Sequence, residues 1–165
     1  MNAAAWYRDR DALSLIAFGY LPWLGGLNLA WEIAQLPLYT LWSEASAGTI
    51  AFSVAHCTAG DIAIGAAALI MVLILGRERA LAQWRWRRIA VWTALAGAAY
   101  TVFSEWNNTA ILGSWAYSGL MPVLKLAGID IGVSPLLQWL VLPPLALYLA
   151  GKSRRPRSAC REDSP

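Results

Sequence analysis

Residues 50–75 read IAFSVAHCTAGDIAIGAAALIMVLIL. Within these 26 residues the only ionisable groups are His56, Cys57 and Asp61. An apolar run of about 18 residues or more reads as a membrane-crossing helix. At about 1.5 Å of rise per residue this one reaches ~39 Å, enough to span the hydrocarbon of a bilayer. It therefore decides the fold class.

Three further stretches read the same way. The first covers residues 12–36 and is interrupted by Pro22 and Gly25-Gly26. Proline removes a helical hydrogen bond and commonly kinks a membrane helix. A shorter stretch covers 89–104, and the last covers 129–150 with Pro135, Pro143 and Pro144. The expected fold is all-α: a polytopic membrane protein with four transmembrane helices in a compact bundle (about 12–36, 50–75, 89–104 and 129–150). Residues 1–11 form an N-terminal segment, 12–150 the membrane domain and 151–165 a basic tail. Between spans three and four, some twenty residues make a long connection for a compact domain. It carries Trp106, Trp115, Tyr117, Met121 and Pro122. Aromatic rings sit well at headgroup level, so an extra interfacial or re-entrant helix is expected over roughly 110–127.

Composition agrees. The chain has 165 residues, 58% hydrophobic and 14% charged, with a mean hydropathy of +0.47. Soluble domains carry about 25% charged residues. Such apolar content excludes disorder, and two cysteines exclude a disulfide scaffold. Cys57 falls in the membrane and Cys160 in the tail, so they cannot bridge each other.

Twelve of the thirteen cations fall on one predicted side: Arg8 and Arg10, the 77–88 arginines, and the tail from Lys152 to Arg161; only Lys125 falls opposite. By the positive-inside rule both termini are cytoplasmic, in the inner (plasma) membrane of a cell. An uncleaved chain is expected although Ala45-Ser46-Ala47 resembles a signal-peptidase site, because the preceding apolar stretch is too long and contains Glu32 and Gln35. The basic tail reads as a topology determinant that touches anionic lipid, with no nucleic-acid partner. Asn107-Asn108-Thr109 matches a glycosylation sequon, a weak three-residue signal.

Ionisable groups within hydrocarbon are costly and by default mark function. Asn28, Glu32 and Gln35 follow i, i+4, i+7 spacing and share a helix face. Asp61 lies ~16 Å and His56 ~8 Å from the outer end of their span. Five positions apart, the two are about 140° apart around the helix axis. Glu105 closes span three, near Asn108. Ser134 and Gln138 stand one turn apart in span four, with Ser134 a candidate N-cap. Asn28, Glu32, Gln35, His56, Glu105, Ser134 and Gln138 all fall in the outer half of the bilayer, with Asp61 just below and Cys57 beside His56. The bland alternatives are an interfacial Glu32, a His56 bonded to a backbone carbonyl, and a Cys57 that merely packs.

These positions predict a polar pocket in the outer half of the membrane. One histidine and three carboxyls supply the parts for acid/base chemistry on, or binding of, a lipid-like or isoprenoid small molecule. His56 is the candidate base, with Glu32, Asp61 or Glu105 as acid or orienting partner. Asn28, Gln35, Cys57, Asn108, Ser134 and Gln138 are candidate lining residues. Serine-hydrolase and zincin motifs do not occur. A second reading is a metal site using His56 and Glu32, with Glu105 and Asp61 as further donors, although no two show a recognised ligand spacing. A third is a non-catalytic accessory or assembly subunit whose partners are membrane proteins or a second copy of the chain. The sequence specifies no cofactor, and leaves open whether the protein is an enzyme.

Overall fold

A computed structural model describes residues 5–126 and 128–153. Most of these residues are helical. The first long helix begins at α1 (Arg10–Leu15), where Asp9 caps by accepting from the Asp11 amide. It widens into a π turn over Ile16–Tyr20 and continues as α2 (Leu21–Gln35). Pro22 explains the widening. It has no N–H for the carbonyl of Phe18, four residues back. The neighbouring Leu21 amide reaches Ile16 O, five residues back. The expected irregularity at Pro22 is therefore a π turn just before it.

A short helix, α3 (Leu41–Glu44), precedes α4 (Ala47–Leu75). Ser46 starts α4 by accepting from the Thr49 amide at 3.2 Å. Then come α5 (Trp86–Glu105), a π turn over Trp106–Ile111, strands β1 (Val123–Leu126) and β2 (Ile129–Gly132), and α6 (Val133–Ser153). Three helices are long and apolar enough to cross a membrane: Arg10–Leu38, Ala47–Leu75 and Val133–Ser153. The helix at α5 falls short, because Arg87, Arg88, Thr93, Thr101, Ser104 and Glu105 dilute its apolar content.

The expected helix over 110–127 does not form. The π turn ends at Ile111, Gly113 follows at φ 62°, and β1 and β2 pair antiparallel around Gly128 at φ 82°. Both glycines adopt left-handed backbone that breaks a helix at little cost. Residues 123–126 and 129–132 are short apolar runs, for which helix and strand cannot be told apart by periodicity. Span four consequently loses its first four residues to β2 and begins at Val133.

α2 packs on α4 and α6, and α5 packs on α4 and α6. Two glycines permit close approach. A Cβ on Gly65 would strike the Leu24 side chain, and one on Gly97 would strike the Trp139 ring. The apolar core occupies the half nearest Arg10, Leu75, Trp86 and Lys152. Tyr20, Leu24, Leu69, Leu73, Ile89, Leu142 and Leu147 meet there, with Trp6 and Trp84 closing the end. The opposite half carries the polar residues. Large apolar side chains such as Phe18, Phe52, Leu75, Trp92 and Tyr148 face outward, as expected of helices solvated by lipid. The Cys160 half of the cysteine comparison and most of the basic tail lie outside the described residues.

Candidate functional site

Three turns of α2 and the first turns of α6 build one continuous hydrogen-bond network. Trp31 Nε1 donates to Ser134 Oγ at 3.2 Å, and Ser134 Oγ donates to Gln35 Oε1 at 2.8 Å. Gln35 Nε2 donates to Glu32 Oε1 at 2.9 Å and more loosely to Gln138 Oε1 at 3.4 Å. Gln138 Nε2 donates to Asn28 Oδ1 at 2.7 Å, Asp61 Oδ2 at 2.9 Å and Glu32 Oε1 at 3.2 Å. Asn28 Nδ2 is satisfied by Leu24 O at 2.8 Å. Gln138 is only 2% exposed. Its amide has two hydrogens for three acceptors, so one hydrogen is shared.

The i, i+4, i+7 spacing places Asn28, Glu32 and Gln35 on the face of α2 toward α6. Asp61 reaches the same point from α4. The carboxyl groups of Glu32 and Asp61 are brought together by accepting from the same Gln138 nitrogen; a direct bond between two carboxyls requires a proton on one of them. Among the described residues, no Lys or Arg takes part in this network. Arg85 forms an ion pair with Glu78, at 3.0 Å near the other end of the molecule.

A second group lies beside the first. Glu105 is 4% exposed, not at the surface as its place at the helix end suggests. The chain continues as a π turn and then folds back, so Tyr117 OH donates to Glu105 Oε2. The amide of Gly132 in turn donates to Tyr117 OH at 2.9 Å. Trp115 Nε1 is buried near the Glu105 carboxyl without a well-formed hydrogen bond. The Tyr39 and Tyr117 rings lie 5.8 Å apart. Burial pushes the Tyr39 phenol up, and the Glu105 carboxyl adds to this. Burial likewise raises Tyr117, reinforced by its bond to Glu105. Backbone bonds tie the cover down: the Thr40 amide donates to Ala116 O at 3.0 Å, and the Ser118 amide to Leu38 O at 2.9 Å.

The structure thus brings together Asn28, Glu32, Gln35, Asp61, Ser134 and Gln138, with Glu105 and Cys57 within electrostatic range of Glu32. His56 is elsewhere. It is exposed on α4 and stacked on Phe52, ring centroids 5.8 Å apart. The 140° between it and Asp61 turns one inward and the other outward. Asn108 bonds back to Ser104 O at 2.9 Å within its own helix and stays outside the network. Ser134 does not cap α6; its hydroxyl is used by Gln35 and Trp31. Among the described residues, no three His, Cys, Asp or Glu side chains converge as metal ligands do, and His56 cannot share an ion with Glu32 from its outward face.

The polar side chains fill their shared space by binding one another. Two clefts instead open near the other end. One, about 530 Å³, lies between α5 and α6, and the other, about 400 Å³, between α4 and α5. Sequence reasoning missed Tyr117 as the partner of Glu105 and Tyr39 as the ring beside it. It noted Trp115 and Tyr117 only as interface aromatics. Comparison with protein-family models, curated proteins and solved structures finds no match to this chain.

Proposed function

We propose that the chain is a small integral membrane protein in which the buried Glu32–Asp61 carboxyl pair holds and releases a proton at a site for a lipid-like or isoprenoid small molecule. In this reading α5 is a fourth span, the helices form a compact bundle in the inner membrane, and both termini are cytoplasmic. The cationic ends of the helices support that orientation. The carrying observation is the single amide of Gln138 bonded to Asn28, Glu32 and Asp61 together. Two carboxyls joined in low dielectric, with no cation in the network, share a proton rather than ionise together. One carboxyl then serves as acid and its partner as base. Glu105, under Tyr117, lies within electrostatic range of this pair. His56 takes no part, and the geometry gives no support to a metal.

Infrared difference spectroscopy during a pH titration of the purified protein tests the reading. A protonated-carboxyl band is expected to disappear on titration in the native chain, and to be altered in both Glu32→Gln and Asp61→Asn. A spectrum unchanged by both substitutions refutes it. A second reading is favoured by one observation: Asn28, Gln35 and Gln138 are buried and hydrogen-bonded to one another across helices, as in a polar lock holding helices together. In that case the protein is a non-catalytic accessory or assembly subunit, and the same variants change association with a membrane-protein partner or a second copy while leaving no bound small molecule to lose.

A further inference from the structure

The cleft between α5 and α6 is lined by Trp86, Arg87, Pro144, Leu147, Tyr148 and Lys152, with Ala90 and Gly151 between them. Its walls are apolar, and its two charged groups are both cations. Among the described residues, no Asp or Glu lines it. The neighbouring cleft between α4 and α5 differs on this point, because Arg88 there is accompanied by Glu78, itself paired with Arg85. Of these two clefts, the first is the one whose described lining carries positive charge without an acidic neighbour, above an apolar slot. Arg87 and Lys152 sit at its end on two different helices, both exposed. The tip of the Trp86 ring lies over Gly151, where an added Cβ would still sit at an ordinary contact distance of 3.5 Å. Pro144 removes an amide donor from the α6 ladder on the cleft side.

We infer that this cleft binds one anionic phospholipid, its phosphate between Arg87 and Lys152 and an acyl chain along Ala90, Pro144 and Leu147. The charge arrangement selects an anionic headgroup, the apolar wall requires a chain, and Trp86 and Tyr148 supply amphipathic rings of the kind that favour the headgroup level. A soluble phosphate has the charge but would leave the apolar slot unfilled. The inference rests on the membrane-spanning reading, not on the carboxyl pair.

The test is native mass spectrometry of the delipidated protein in detergent, titrated with phosphatidylglycerol, phosphatidylcholine or inorganic phosphate. One tightly held phosphatidylglycerol is expected, with phosphatidylcholine much weaker. Each cation near a lipid headgroup is worth about fivefold in affinity, so Arg87→Gln/Lys152→Gln should weaken binding about thirtyfold. Arg10→Gln/Arg88→Gln, a charge-matched control away from the cleft, should leave it within about threefold. Ala90→Phe, which fills the slot without altering charge, should also abolish it. Equal losses in both double variants, or equal binding of inorganic phosphate, overturn the inference. Resistance of the membrane-bound protein to carbonate extraction tests the spanning reading separately.

Discussion

Replacing Gln138 by methionine keeps nearly the same shape and removes every hydrogen bond the side chain makes. Asn28 Oδ1, Asp61 Oδ2 and one of the bonds to Glu32 Oε1 lose their donor, and the Gln35 amide loses its weaker acceptor. Polar bonds between membrane helices average about 0.6 kcal/mol, so three donated bonds set a floor near 2 kcal/mol. A buried acceptor left without a donor costs about 1–3 kcal/mol. Glu32 keeps its bond from Gln35, so two acceptors are orphaned and the upper end is about 6 kcal/mol. The expected loss is therefore about 2–6 kcal/mol, read as a shift in reversible SDS-induced unfolding in mixed micelles. Leu140→Ala, on the exposed face of the same helix, is the control and should change stability by less than about 0.5 kcal/mol. If Gln138→Met unfolds at the same SDS fraction as the native chain, the amide does not hold the carboxyls together, and the carboxyl pair is an incidental contact.

Gly97→Val should destabilise by about 1–3 kcal/mol in the same assay, because the new atoms enter the space of the Trp139 ring; normal unfolding would mean α5 and α6 do not approach this closely. Tyr117→Phe frees the Glu105 carboxyl from its hydroxyl donor and should cost about 1–2 kcal/mol at neutral pH. Tyr117 is raised in the fold, so its contribution is complete below about pH 10, the ordinary tyrosine value, and is lost as pH climbs through the folded value. The native chain should therefore lose stability above about pH 10 more steeply than Tyr117→Phe, and parallel pH curves would refute the burial of that phenol. Arg85→Gln leaves the buried Glu78 carboxyl without its cation. Arg85 itself is 57% exposed, so the loss should be about 1 kcal/mol rather than the several expected of a wholly buried pair; thermal unfolding at low and high salt would show it.

Much of the fold was legible because burial in lipid writes itself into composition. The runs over 12–36, 50–75 and 129–150 each contain a helix, and the stripe of Asn28, Glu32 and Gln35 follows from 3.6-residue periodicity alone. Ser134 and Gln138 were legible for the same reason. Spacing also separated His56 from Asp61, but angle cannot say which of two residues faces the protein. That depends on where α2 and α6 lie. The hairpin was misread because four-residue apolar runs carry no period of their own. Glu105 and its partners were illegible in a deeper sense. Tyr117 meets it, with the Tyr39 ring alongside, where residues 37–40 pair with 116–118, a contact between segments nearly eighty positions apart that leaves no local trace.

The hydrogen bonds are concentrated toward one end of the molecule and the clefts near the other. α6 is pinned at Gln138, while its far end at Lys152 lies about 21 Å along the axis. Pro143 and Pro144 interrupt the ladder between these points. The helix is thus a lever with a fixed fulcrum and a compliant joint. A tilt of about 5° at the prolines moves a point about 12 Å further along by about 1 Å; the same tilt about Gln138 moves Lys152 by about 2 Å. Thermal motion of that size would open and close the gap beside α5 while leaving the carboxyl pair undisturbed.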